Sequence, residues 1–439
     1  MASLRPRVVI VGGGFAGIAA AKSLRDCDAD VTLIDRRNHH IFQPLLYQVA
    51  TALLAPSDVA TPIRQLAIRQ KNLSVTLAEV SGLAAGERTV LTCSPGVGSG
   101  RVAFDYLILA PGMQASYFGH DEFARHAPSL KTLADAELVR AKVLRAYELA
   151  EETEDSTARR RLLTFVLVGA GPTGVELAAS IAELAHATLR SSFRRIDPAE
   201  SRILLIEAGK RILPTFGETL ASEAAKRLAR LGVGVLTEAK VEQVGAQGVV
   251  VSGQVIESAT VLWTAGVAPA PILEELHSET DRAGRIRVLP NLEVPERPGI
   301  FVVGDAAALS QDGRPLPGVA QVAIQQGHYV GKLIRARIEG RKWTRPFRYF
   351  DKGNMAIVGR NFALLESRRL RMSGYLTWLI WGTIHLLFLP QLQSRLRVAG
   401  QWLWWSLTDQ RSSLLVPEAQ RESSVDADTP VRSSVVSST

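Results

Sequence analysis

The stretch Arg7–Gly17, RVVIVGGGFAG, restricts this chain more than any other. Four β-formers, Val8 to Val11, run straight into Gly12, Gly13 and Gly14, and Gly17 follows three residues later. The pattern predicts a strand that stops at a glycine turn and a helix that starts at once. The glycines have separate tasks. Gly12 permits the tight turn, Gly14 admits a diphosphate against bare backbone, and Gly17 lets helix pack on strand. The diphosphate then rests on unpaired N–H groups around Ala16, at the positive end of the helix dipole. A second strand, Ala29 to Ile34, ends in Asp35, 23 residues after Gly12. A carboxylate there takes both hydroxyls of an adenosine ribose, whereas an ordinary tight turn leaves Asp35 without a task.

The motif then recurs. Leu162 to Val168 leads into VGAGPTGVELA, with Gly169, Gly171 and Gly174. Its acid is Glu207, closing the strand Ile203 to Ile206, 38 residues after Gly169. That spacing exceeds the usual ~20 and implies a longer helix, through Leu189, and a loop from Ser191 to Ser201. A glutamate repels a ribose 2′-phosphate, so NADH is favoured over NADPH, with Lys210 and Arg211 softening the preference. Each motif is followed by a return strand, FDYLILAPG (Phe104–Gly112) and ATVLWTAGV (Ala259–Val267). Ile300 to Asp305, IFVVGD, places Gly304 and Asp305 at a carboxyl edge, where Asp305 can hold a flavin's ribityl chain. A helix beginning near Val319 puts Gln321 and Gln325 on one face, at i and i+4, as buried amides towards an isoalloxazine ring; a plain polar helix face is the competing reading. Lys352 to Arg360, KGNMAIVGR, reads as a strand returning to the cofactor.

The fold class that follows is α/β, with two Rossmann-like dinucleotide-binding domains and a C-terminal membrane-associating helical region. The expected boundaries are 1–120 for the first part of the FAD-binding domain, 121–290 for the NADH-binding domain and 291–345 for the second FAD part. A C-terminal interface region (346–411) and a disordered serine-rich tail (412–439) complete the chain.

Composition narrows the chemistry. Two cysteines, Cys27 and Cys93, exclude a disulfide scaffold, a cysteine-built metal site and a redox dithiol. Adjacent His39 and His40 share neither a helix face nor a strand face, so no metal is expected; they belong to a loop-to-helix segment along the first dinucleotide. Ser94 to Gly100 reads as a loop, Asp135 to Glu152 as an amphipathic helix, and Arg159 to Arg161 as a solvated approach to the next strand. The formal charge of +8 attracts anionic surfaces. The C-terminus identifies that surface as lipid rather than nucleic acid. Tyr375 to Leu389 and Ala399 to Leu407 are apolar, and five of the chain's seven tryptophans fall between Trp378 and Trp405. Arg368, Arg369, Arg371, Arg395 and Arg397 flank them. Fifteen residues before Pro390 are too few to span a bilayer, which needs about 20, so the segment is read as lying in the membrane surface. A homodimer interface is a compatible use of the same pair. With strand beginning by Arg7 and few cysteines, a peripheral place on the cytoplasmic face of a bacterial inner membrane is expected, without signal peptide or transmembrane span.

Two dinucleotide sites without metal or dithiol point to hydride chemistry through a flavin: FAD held in the first site, NADH presented by the second, and a lipid-soluble quinone as acceptor. The chain resembles the type II NADH dehydrogenases, single-subunit, FAD-dependent NADH:quinone oxidoreductases that do not pump protons, within the pyridine nucleotide-disulfide oxidoreductase type of flavoprotein. The resemblance runs from about Arg7 to about Leu415. It rests on VVIVGGGFAG, FQPLLYQVAT, LILAPG, VGAGPTGVELA, LLIEAG, LWTAGV, FVVGDAA, AQVAIQQG and KGNMAIVGR. It implies non-covalent FAD on Gly12, Gly13, Gly14, Ala16, Gly17 and Asp35, with Ala110, Gly112, Gly304, Asp305 and Lys352 contributing. NADH is implied on Gly169, Gly171, Gly174 and Glu207, with Ala265 and Gly266 near the nicotinamide. The quinone approaches beside Gln321 and Gln325, and Glu176 handles protons or positions NADH, a structural helix acid being the alternative. The departures are Pro111, where a Thr is common, and the serine-rich tail.

Three relatives in chemistry compete. A disulfide reductase needs a cysteine pair soon after the first acid, and a sulfide:quinone oxidoreductase needs cysteines in the middle and late chain; both are missing. A ferredoxin-reductase-like or apoptosis-inducing-factor-like flavoprotein, passing electrons to a protein or oxygen, needs no thiol but leaves the Trp-rich C-terminus without a purpose. A flavin-bearing structural or signalling module is the non-enzymatic alternative.

Overall fold

The computed structural model describes residues 5–367 and 370–416. In chain order the elements that position the site are β1 (Arg7–Val11), α1 (Phe15–Ser23), β2 (Asp30–Asp35), β3 (Leu73–Leu77), β4 (Tyr106–Leu109), α2 (Leu133–Glu152), β5 (Thr164–Val168), α3 (Pro172–Glu183), β6 (Arg202–Ile206), β7 (Val233–Leu236), β8 (Thr260–Trp263), β9 (Ile300–Val302), α4 (Ala320–Ile338), α5 (Tyr375–Phe388) and α6 (Leu392–Thr408).

Two parallel sheets repeat one design. The first has the order β9-β4-β1-β2-β3 and the second β7-β6-β5-β8. Apolar runs such as VVIV bury both faces of a strand, as a covered parallel sheet requires. Val8 and Ile10 pack against α1 and α4, while Val9 and Val11 pack under an antiparallel sheet of Glu79–Ala84, Thr89–Ser94 and Gly98–Ala103. The second unit does the same. Phe165 and Leu167 face helices that include α3, and Val166 and Val168 face the antiparallel strands Val241–Gly245, Gly248–Val251 and Gln254–Glu257. The duplication seen in the glycine motifs therefore extends to a whole three-layer unit.

The first sheet is assembled from distant chain, and α4 closes it. A Cβ on Gly327 would lie 2.1 Å from the Ala16 carbonyl oxygen, and one on Gly331 2.7 Å from that of Ala20. Glycines one helical turn apart thus let α4 lie directly on α1. On the second unit, α2 starts two residues earlier than its amphipathic pattern, where Thr132 and Asp135 cap each other's N–H groups.

The C-terminal part forms an antiparallel sheet, Asn354–Ile357, Ala363–Glu366 and Arg371–Gly374, followed by α5 and α6. Trp381, Val398 and Trp405 are buried against the body. Leu376, Leu387, Leu396, Leu403 and Leu407 stay exposed. No described helix is long and apolar enough to cross a membrane.

Several local expectations change. Ser94–Gly100 is a hairpin turn flanked by strand, not a loop: Thr92 pairs with Gly100, whose Cβ would sit 2.9 Å from the Thr92 hydroxyl, so a larger residue there would make that side chain shift. Arg159–Arg161 lie in a short helix, Ser156–Leu162, started by the Asp155 side chain. The last helix begins at Leu392 rather than Ala399, and His39 and His40 lie on a short strand, His39–Ile41. Among the flanking arginines, Arg371 pairs with Glu366, Arg397 with Asp58, and Arg395 donates to the Leu389 carbonyl. Arg368, Arg369 and residues 417–439 fall outside the described residues.

Candidate functional site

Each parallel sheet presents the same device at its carboxyl edge. Gly12 has φ +102° and Gly169 φ +100°, a region that disfavours side chains. Their N–H groups donate to the carbonyls of Ile34 and Ile206, at 2.8 and 2.7 Å. A Cβ on Gly17 or Gly174 would fall 1.9 Å from the carbonyl oxygen five residues back, whereas Gly14 and Gly171 face open space. The open pair are also the N-caps of α1 and α3, and neither helix has a side-chain cap. Free N–H groups beside unobstructed backbone suit a diphosphate.

The acids match as closely. Asp35 Oδ2 accepts the Gly13 N–H at 2.6 Å and Oδ1 the Arg37 N–H at 2.7 Å. Glu207 Oε2 accepts the Ala170 N–H at 2.8 Å and Oε1 the Gly209 N–H at 2.8 Å. In both cases the carboxylate ties the glycine loop to the end of the next strand. The extra spacing before Glu207 is taken up by α3, its π-helical extension Leu184–Thr188 and the following loop, and leaves this geometry unaltered.

On the first unit a cleft of about 610 Å³ is lined by Gly12, Gly13, Gly14, Ala16, Asp35, Ala110, Gly112, Gly304 and Asp305. Gly17 is packed behind it. Burial pushes the Asp305 carboxyl above its usual range, and Lys131 opposes this. The residues fit a flavin dinucleotide: a bare diphosphate cradle, a ribose acid and a second carboxylate at the far strand end. The two units meet here. Met113–Ala115, after the first return strand, pairs antiparallel with Val267–Pro269, after the second. Ala110 and Gly112 are thereby joined to Ala265 and Gly266 through one two-stranded ribbon.

The three residues singled out for chemistry converge on one segment, 350–357. Gln325 both donates to the Phe350 carbonyl and accepts its N–H, each at 2.9 Å. Gln321 donates to the Gly353 carbonyl at 2.8 Å and leaves its Oε1 buried without a partner among the described residues. From α3, Glu176 accepts the Ile357 N–H at 3.4 Å. Burial pushes the Glu176 carboxyl up to about 8, with that N–H pulling it down. Both glutamines are half-buried rather than fully buried. Lys352 is not part of the cleft lining; its ammonium lies over the Phe388 ring, 5.6 Å from the centroid.

Some contributors were invisible to motif reading. The fully buried Gln326 accepts the Gly304 N–H at 2.7 Å and so holds the Asp305 turn; its neighbour Gln325 drew attention because of spacing alone. Lys131 enters the cleft from the loop before α2. Burial lowers its ammonium pKa while Asp305 raises it. Tyr47 is buried on the short helix Leu46–Ala50, its hydroxyl accepting from Gln48 at 2.8 Å. Gln48 in turn accepts from the Trp402 indole at 2.7 Å.

The family model for pyridine nucleotide-disulphide oxidoreductases matches residues 6–327. The type II NADH:quinone oxidoreductase Ndh of Mycobacterium tuberculosis is 42% identical over 427 residues, 95% of this chain and 91% of that protein. The chain belongs to the type II NADH:quinone oxidoreductase family. A second member of that family in the same organism, NdhA, is 41% identical over 91% of this chain and 86% of its own length. Among solved structures, NDH2 of Plasmodium falciparum in complex with NADH superposes with a TM-score of 0.86 at 19% identity, covering 94% of this chain and all of that one. The sulfide:quinone oxidoreductase of Aquifex aeolicus shares the fold at a TM-score of 0.66 and 17% identity, over 90% of this chain and 92% of its own. Family membership covers the glycine loops and the C-terminal helices alike.

Proposed function

We propose that this chain oxidises NADH through a non-covalently bound FAD and delivers the electrons to a quinone at a membrane surface, without pumping protons. The observation that carries the reading is the ribbon Met113–Ala115 with Val267–Pro269. It joins the edges of two matching dinucleotide cradles, so cofactors extended along each cradle meet at that seam. FAD supplies a two-electron acceptor for the hydride of NADH when the rings stack, and the protein supplies alignment. Gly12 to Ala16, Asp35 and Asp305 hold the first dinucleotide; Gly169, Gly171, Gly174 and Glu207 hold the second. Glu176 is protonated at neutral pH and stores a proton beside segment 350–357. Gln321 and Gln325 keep that segment in place on the quinone side.

The acceptor follows from α5 and α6, whose exposed leucines suit the headgroup boundary of a membrane. The same face serves a homodimer, and two free cysteines suit a reducing compartment such as the cytoplasmic face of a bacterial inner membrane. Domain boundaries follow the sheets, with the FAD unit split around the NADH unit.

Anaerobic stopped-flow tests the reading. NADH is mixed with the purified protein, then a short-chain quinone, while flavin absorbance is followed. Bleaching followed by rapid recovery is expected. Bleaching without recovery moves the acceptor to a protein or to oxygen, and no bleaching removes the second glycine motif from NADH chemistry.

A further inference from the structure

Five aromatic rings form an unbroken series from the outer helices to the first glycine loop. Trp402 of α6 lies 5.3 Å from Trp381 of α5, and Trp381 stacks on His385 at 4.3 Å between centroids. His385 meets Phe42 edge-on at 6.1 Å, and Phe42 meets Phe15 at 5.9 Å. Phe15 follows Gly14 and lines the flavin cleft. The segment gripped by Gln321 and Gln325 reaches the same helix, since Lys352 lies over Phe388, about one turn beyond His385. These rings are packed neighbours, and together they connect the outer helices, past His385, to the edge of the cleft at Phe15.

The polarity of His385 is set by one hydrogen bond. Its Nδ1 donates to the Trp381 carbonyl at 2.7 Å, so the hydrogen is on Nδ1 and the lone pair on Nε2. No described residue donates to Nε2. Burial holds the imidazole down to about 4, so it is neutral in ordinary buffers. The charged groups on elements packed against α5 are engaged elsewhere: Glu366 with Arg371, Arg395 with the Leu389 carbonyl, Arg397 with Asp58, and Lys352 on Phe388. A neutral imidazole whose remaining nitrogen only accepts offers nothing to the carbonyl of an oxidised quinone. A quinol hydroxyl is what it can bind.

We infer that His385 is a specificity-determining residue of the quinone site, its Nε2 accepting a hydrogen bond from a hydroxyl of the reduced, quinol form. The inference rests on the quinone reading above. In a ring-lined, water-poor setting such a bond tilts the site towards the product.

Its test compares wild type, His385→Leu and His385→Gln, measuring KM for a short-chain quinone, the product-inhibition constant of its quinol, and flavin bleaching by NADH. Loss of the acceptor should weaken quinol binding about five- to tenfold while the quinone KM stays within about twofold, as expected for one hydrogen bond. His385→Gln, with an amide oxygen, should recover most of the quinol affinity. Any pH dependence of the quinone KM between about pH 5.5 and 8, such as one from Glu176, should be shared by wild type and His385→Leu, because the imidazole does not titrate there. The inference is overturned if quinol and quinone constants rise together, if neither moves, or if the wild-type KM shows an ionisation near neutrality that disappears in His385→Leu. Flavin content reports folding; should the Leu variant lose flavin, His385→Phe keeps a ring against Trp381 and carries the same comparison. Wild-type protein that bleaches with NADH and never recovers with quinone defeats the quinone reading itself, before any variant is compared, and His385's assignment with it.

Discussion

Glu176 and Glu207 are both glutamates near a glycine loop, and their surroundings set them apart. Glu207 is held by two backbone N–H groups at a strand end. If its remaining acceptor capacity is turned to a ribose, as proposed, Glu207→Gln should narrow the NADH over NADPH preference in kcat/KM by about tenfold, or about 1.4 kcal/mol. An unchanged ratio would remove Glu207 from the second ribose site. Glu176 has its carboxyl raised to about 8 by burial, from the ordinary value of 4.5. Between those values the folded protein holds a proton that the unfolded chain has lost, so this group's contribution to stability falls as pH rises through the window. Glu176→Gln should therefore melt with wild type below about pH 4.5 and above it in temperature by a gap that widens up to about pH 8. Parallel melting curves at every pH would place the carboxyl in solvent. At Asp35, replacement by Ala removes the tie to the Gly13 N–H and, with it, the proposed ribose acceptor. Purified Asp35→Ala should lose most of its flavin, and full occupancy would show the acid dispensable.

At the scale of elements, the strand and helix alternation around both glycine motifs was readable because parallel strands bury both faces and helices begin directly after the turn. What pattern alone missed were strands without an apolar run of their own. Glu79–Ala84 and Val241–Gly245 carry few consecutive apolar residues and exist because neighbouring strands pair with them. SPGVGSG reads as a loop because glycine is a poor strand former, yet Gly100 pairs in the sheet, closely facing the Thr92 hydroxyl. The pairing of α1 with α4 belongs to this scale as well. Gly327→Val would press against the Ala16 carbonyl, destabilise the fold by about 3 kcal/mol and disturb the neighbouring Gln326–Gly304 bond. Urea unfolding and flavin content measure both effects; a stable, flavin-replete variant would mean that α4 can shift away from α1.

For the whole molecule, the C-terminal helices are bolted to the second unit rather than merely appended. Arg411 is buried, donates to the Thr51 carbonyl at 2.6 Å and the Ser180 carbonyl at 3.0 Å, and lies 5.8 Å from the Trp405 ring centroid. Cutting the chain before Tyr375 therefore strips core contacts along with any membrane surface. Replacing the exposed Leu387, Leu396, Leu403 and Leu407 with Ser separates the two. The variant should keep its flavin and melting temperature and stop co-sedimenting with anionic liposomes; undiminished co-sedimentation would move the membrane contact to another face. The arginines beside these helices bear less on lipid than their number implied, because Arg395 and Arg397 hold backbone and carboxylate partners inside the protein. The amino-acid sequence by itself determined the two dinucleotide units, their glycines and acids, and the apolar C-terminal pair, because short-range stereochemistry and hydrophobic period are written in consecutive residues. Only the tertiary structure decided which face of α5 is buried, that Gln326 rather than Gln325 holds the Asp305 turn, and that Glu176, Gln321 and Gln325 share one segment. Those outcomes depend on contacts between residues tens to hundreds of positions apart, which no local pattern records.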